Sequence, residues 1–249
     1  MTGRVLLICL TAFLVGGVGL YLASQKESRD IRRNRLIKFI TYLGIVSVML
    51  FGALAGSWIL RGMMVLVAAL GARELYCVLL RASGGRLSIA WEIGAIYLSI
   101  AASAVLFVWL SPTGTTVFVY LIVCAFDGFS QVAGQLFGSH RLAPTLSPGK
   151  TIEGSAGGLL FAVGMGLLIR PIVGWGVTRT IIICVYIVAA ALTGDLLASL
   201  VKRKSNIKDF SNLLPGHGGI LDRFDSFLFA AAACLVATEA AKLCGVSFR

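Results

Sequence analysis

The sequence predicts an all-α, polytopic integral membrane protein with about eight transmembrane helices. Three observations predict it. Of the 249 residues, 58% are hydrophobic and only 13% are charged, about half the charged share of a soluble domain, so polar surface is too scarce to cover a soluble globule. The apolar residues gather in runs close to the ~20 residues that a helix needs to cross a bilayer. The lysines and arginines crowd into alternate gaps between those runs. No period-2 alternation of outer-membrane strands competes with this reading.

The first run, 4–24, is long enough to span, and no small-residue cleavage site follows it, so it is expected to be retained rather than removed as a secretory signal. A basic gap with Lys26, Arg29, Arg32, Arg33, Arg35 and Lys38 leads to the second run, 39–60. The third, 63–80, is short and contains Arg73; the fourth covers 88–110. The fifth, 115–138, carries Asp127, and the sixth, 154–170, is again short. The seventh, 178–201, carries Asp195, and the eighth is 224–246. Gaps are short and no Pro/Ser-rich linker intervenes, so residues 1–249 read as one membrane domain. Within it, residues 1–114 supply N-terminal spans, and residues 115–249 supply the spans and loops with the chemistry. Cys9, Cys77, Cys124, Cys184, Cys234 and Cys244 all lie in apolar runs without a C-x-x-C pair, as small buried residues do.

If the gap after the first run is cytoplasmic, that side also receives Arg81, Arg86, Arg141, Lys150, Lys202, Arg203, Lys204, Lys208 and Arg223, in all 15 of the 22 basic residues. The other side receives Arg4, Arg61, Arg170, Arg179, Lys242 and Arg249. The positive-inside rule then places both termini outside the cytoplasm. A net charge of +11 is compatible with nucleic acid, but cations set beside apolar segments point instead to topology signals, anionic headgroups and phosphate substrates.

Acids inside spans are costly and mark sites by default, which singles out Asp127 and Asp195. Ser199 and Lys202 follow Asp195 at i+4 and i+7, so all three share one helix face. Two polar loops fall on the same side. The first, 137–154, contains Ser147-Pro148-Gly149-Lys150-Thr151 and Glu153. It resembles a phosphate loop but lacks the first glycine of the Walker spacing and a parallel sheet to hold it, so a P-loop NTPase is rejected. A lysine, hydroxyls and backbone N–H groups at a helix start still suit phosphate, while Glu153 also suits the helix dipole there. The second loop runs from Lys202-Arg203-Lys204 and Lys208-Asp209 to His217-Gly218-Gly219, Asp222-Arg223 and Asp225. Cations, a glycine turn where backbone amides can approach a ligand, and two acids at i,i+3 suit a divalent metal with a polyphosphate, Mg²⁺ in particular. His217 has no partners for zinc and is read as a turn or phosphate contact.

Ser199, Lys202-Arg203, Lys208-Asp209, His217-Gly218-Gly219, Asp222-Arg223 and Asp225 together resemble the signature of the CDP-diacylglycerol synthases, or phosphatidate cytidylyltransferases. The resemblance reaches back to Asp127 and through Ser147–Thr151 and Glu153-Gly154. It departs at Ile152, where tryptophan is common, and at Gly128-Phe129-Ser130-Gln131, where a Gly-Ala-Tyr-like run is common. The resemblance implies CTP plus phosphatidate giving CDP-diacylglycerol plus pyrophosphate, in phospholipid biosynthesis, at a site facing the cytoplasm from a multi-pass protein of the cell (inner) membrane. It implies Asp195, Asp222 and Lys202 as catalytic, and Asp195, Asp222 and Asp225 toward Mg²⁺. It implies Asp127, Ser147, Lys150, Thr151, Glu153, Ser199, Arg203, Lys208, His217, Gly218, Gly219 and Arg223 toward substrates. The partners expected are CTP, phosphatidate and the lipid bilayer, no nucleic acid, with room for a homodimer. Two other classes share features of the pattern: a sister enzyme acting on another lipid phosphate or a polyprenol, and a transporter, whose acids normally lie nearer the midplane within inverted repeats.

Overall fold

The computed structural model describes residues 2–25, 28–82, 87–213 and 218–243. Lys26, Arg86, His217, Cys244 and Arg249 lie outside the described residues. The described chain forms α1 (Thr2–Ala23), α2 (Arg29–Ala55), α3 (Ser57–Ala82), α4 (Leu87–Leu110), α5 (Thr113–Phe137), the strands β1 (Arg141–Ala143) and β2 (Ser147–Thr151), then α6 (Ile152–Ile169), α7 (Val177–Lys204) and α8 (Leu221–Leu243). Seven of these helices, α2 to α8, are long and apolar enough to cross a membrane; the described apolar stretch of α1, Leu6–Leu22, is shorter. The protein is an all-α, multi-pass membrane protein with one small antiparallel hairpin.

Three boundaries differ from the sequence expectation, each for a local reason. The basic stretch expected as a loop before residue 39 is helical from Arg29. Arg and Lys are good helix formers, Asp30 stands in the first turn, and Ser28 accepts at its carbonyl from Arg32 N–H. The break expected between 60 and 63 falls at Gly56, whose φ of 147° lies where a side chain is disfavoured; α2 ends and α3 begins on either side of that one residue. The last helix opens at Leu221, so Asp222 and Asp225 belong to its first turns.

Packing divides the chain into two units: residues 1–50 with 117–189, and 51–116 with 190–249. In the first unit Gly17 and Gly19 of α1 let the backbone approach Phe39 and Val132, and Tyr42 donates to the carbonyl of Cys124 at 2.9 Å. Phe118, Ile122, Cys184 and Ile187 make its fully buried centre. In the second unit α8 packs on α4 and α3 around Met64, Ala104, Phe227 and Leu228. There α7 approaches α8 at Gly194, where a Cβ would stand 2.5 Å from Phe229 Cβ and 3.1 Å from the carbonyl of Asp225. Small residues at such crossings are what close packing between membrane helices requires.

Candidate active site

The second unit gathers most of the expected residues at one place, where α7 ends and α8 begins. The end of α7 is shaped by Asn206, at φ 54°. Ile207 N–H bonds the carbonyl of Lys202 and Asn206 N–H that of Arg203, the paired bonds of a left-handed helix stop. This turn brings the chain back so that the buried Phe210 ring lies 5.3 Å from Lys202 Nζ. Lys202, on the last turn of α7, is only 12% exposed at its side chain and reaches Asp222 Oδ1 at 2.7 Å. Lys204, two residues on, is exposed, as the turn of a helix dictates.

Asp222 is the hub. Its side chain is 2% exposed, and Oδ2 accepts from the N–H groups of Phe210 at 2.8 Å and Gly219 at 2.9 Å. Three donors therefore satisfy a carboxylate that would otherwise be very costly to bury. Gly218, at φ 79°, is confined on the same side: a Cβ there would stand 2.8 Å from Asp222 Oδ2. One turn along, Asp225 accepts from Ser226 N–H at 2.7 Å through Oδ1, while its buried Oδ2 has no hydrogen-bond partner. Asp195 is half-buried on α7 beside Gly194, Ser199 is buried, and Arg203, Lys208, Asp209 and Arg223 are exposed.

A metal was expected from Asp195, Asp222 and Asp225 together. Among the described residues no three His, Cys, Asp or Glu side chains are gathered to hold one; Asp222 bonds its own loop through Oδ2 and Lys202 through Oδ1. The donor chemistry still fits Mg²⁺, which is commonly held by one or two carboxylates with the remaining positions left to phosphate and water. The orphaned, buried Oδ2 of Asp225 is the atom that a cation would satisfy.

Glu74 is not among the residues that the sequence analysis singles out, although an acid inside an apolar run is the available signal. It is buried on α3, and accepts from Ser211 Oγ at 2.7 Å, Ile220 N–H at 3.0 Å and Leu221 N–H at 2.8 Å.

The first unit holds the other expected residues. Asp127 is half-buried on α5. Ser147, Lys150 and Thr151 lie on β2, paired with β1 through Arg141–Thr151 and Ala143–Ser147. Thr151 caps α6 by accepting from Gly154 N–H at 3.0 Å, and Ile152 N–H donates to the carbonyl of His140. Two of the backbone donors at this helix start, the N–H groups of Ile152 and Gly154, are thus already engaged. Glu153 is engaged too: it accepts from Ser139 N–H and His140 N–H and meets His140 Nδ1 at 2.6 Å. It closes the hairpin onto α6, and Lys150 is the cation of this loop closest in sequence to the helix.

Residues 89–240 match the profile of the cytidylyltransferase family. A phosphatidate cytidylyltransferase of Staphylococcus saprophyticus is 32% identical over 241 residues, covering 90% of this chain and 91% of its own. That of Staphylococcus epidermidis is 33% identical over 244 residues with the same coverage. A phosphatidate cytidylyltransferase of Haemophilus influenzae is 42% identical over 119 residues, which is 45% of this chain and 41% of that one.

Proposed function

The chain belongs to the cytidylyltransferase family, and on that premise we propose that it transfers the CMP unit of CTP to phosphatidate, giving CDP-diacylglycerol and pyrophosphate. The observation that carries the reading is the buried Lys202–Asp222 pair at 2.7 Å beside the unpartnered Oδ2 of Asp225, bordered by the exposed Arg203, Lys208 and Arg223. A phosphate oxygen of the lipid forms the new bond to the α-phosphorus of CTP. The bond from that phosphorus to the bridging oxygen breaks, and pyrophosphate leaves with the electron pair.

The lipid phosphate is already a nucleophile, so no strong general base is needed. That agrees with carboxylates engaged in holding the loop rather than poised to take a proton. Catalysis then consists of alignment and charge neutralisation. Lys202 is fixed by Asp222 and Phe210, and a lysine has three donors, so one bond to Asp222 leaves donors for a phosphate oxygen. Arg203, Lys208 and Arg223 hold the triphosphate or the phosphatidate head. Asp222 and Asp225 would hold Mg²⁺, with Asp195 the third carboxylate of the same unit; bound there, the ion supplies neutralisation of triphosphate charge. In the first unit, Lys150 on β2 and Asp127 on α5 are the groups assigned to substrate.

The test is incorporation of labelled CTP by purified protein in detergent, with phosphatidate against other lipid phosphates and a polyprenol phosphate. Expected is a lipid-soluble cytidine product and stoichiometric pyrophosphate with phosphatidate. Activity confined to another acceptor would reassign the substrate, and no cytidine transfer to any acceptor would refute the reaction.

The active side faces the cytoplasm in this reading, because 15 of the 22 basic residues fall there. Cysteines placed at Ser28 and Ser205, in a background lacking the native ones, should react with an impermeant maleimide only after the membrane is opened. Labelling of either in intact cells would reverse the orientation.

A further inference from the structure

Glu74 sits in an apolar stretch of α3, 7% exposed, where a carboxylate is costly unless donors surround it. Its donors have a common address: Ser211 from the loop, and the N–H groups of Ile220 and Leu221. Leu221 is the first residue of α8, and Ile220 precedes it and accepts from Arg223 and Phe224 N–H. Ile220 therefore occupies the cap position of α8. The first N–H groups of a helix have no acceptor within it, and most helices satisfy them with a Ser, Thr, Asp or Asn at the cap. Isoleucine offers no such group. Glu74 supplies the cap from another helix, 146 and 147 residues away in sequence, and a negative charge is favoured at that end of the dipole.

The next residue is Asp222, which holds Gly219 N–H and Phe210 N–H from its own side. The Gly218–Leu221 turn is thus held by two carboxylates, and Gly219 lies so close to Glu74 that any Cβ there would collide with its Oε2. We propose that Glu74 is a positioning residue of the cytidylyl-transfer site: it caps α8 in trans and thereby fixes the register in which Asp222 meets Lys202, without touching substrate itself. The activity arm of its test rests on the function proposed above; the exchange arm does not.

Four variants test it, with Lys202→Ala alone as the reference: Glu74→Gln, Ser211→Ala, and each of the two combined with Lys202→Ala. Glutamine keeps the size but turns an amide donor toward backbone donors. Glu74→Gln should lower turnover roughly 10-fold and speed hydrogen exchange at the amides of Ile220 and Leu221. Ser211→Ala should move both in the same direction by less, roughly twofold to fivefold in turnover. Because Glu74 acts through the Asp222–Lys202 pair, either change made on top of Lys202→Ala should cost little more than Lys202→Ala alone. Full additivity, or unchanged exchange at both amides, would overturn the proposal. Should Glu74→Gln not fold, Ser211→Ala and its double variant decide by the same criteria. A parent protein inactive with CTP and phosphatidate would refute the reaction, while exchange at Ile220 and Leu221 would still decide the cap.

Discussion

Asp222→Asn should lower turnover roughly 100- to 1,000-fold, the scale on which the loss of one preorganised electrostatic contact at a reacting centre acts. Asp222 faces a cation on one oxygen and two backbone N–H groups on the other. Asparagine has one acceptor oxygen and one amide donor, so either Lys202 or the Phe210–Gly219 backbone must meet an NH₂ group. Whichever orientation it takes, Lys202 stays buried without its anion, and a negative charge for Mg²⁺ is gone. The measurement is turnover at saturating CTP and phosphatidate across a Mg²⁺ titration, with gel filtration in detergent to establish a monodisperse protein. Near-normal turnover at low Mg²⁺ would sink the assignment of Asp222 to the site.

The second large effect is a contrast between two lysines in one helical turn. Lys202→Ala should cost at least the roughly 10- to 150-fold of a charge-assisted phosphate contact, and more because Asp222 is then buried unpaired. Lys204 lies ~200° around α7 from Lys202 and is exposed. Its removal should stay within about fivefold, as for an exposed charge. Parallel measurement of kcat and KM for CTP in the two variants checks this. Equal losses would mean that the cations act as an undirected basic patch and that the face of α7 does not matter.

The sequence was informative wherever chemistry and local period coincide. Apolar runs marked the helices because the bilayer admits few alternatives, and the spacing from Ser199 to Asp225 marked the chemistry because its polar residues are neighbours along the chain. Glu74 is less legible: an acid inside an apolar run is visible, but its role exists only through bonds to Ile220 and Leu221 across the fold. The hairpin is hidden for another reason. Ser147-Pro148-Gly149-Lys150-Thr151 reads as a polar loop, and only its pairing with Arg141–Ala143 makes it a strand. The start of α2 is hidden because dense charge marks the end of a span and not the end of a helix, which continues into water beyond the apolar region.

The length of α7 gives the site a mechanical coordinate. With 28 residues the helix is about 42 Å long, and even a tilt of about 20° leaves a projection of about 39 Å against a hydrocarbon slab of about 30 Å. Its cations divide it suitably: Arg179 stands near one end and Lys202 near the other, with an apolar stretch of about 33 Å between them. Asp195, seven residues before Lys202, stands about 10 Å from it along the axis, toward the apolar middle of the helix. A helix longer than the slab must tilt, bend or carry its ends into water. Turnover in vesicles of graded acyl-chain length is therefore expected to vary although the reacting phosphate is the same.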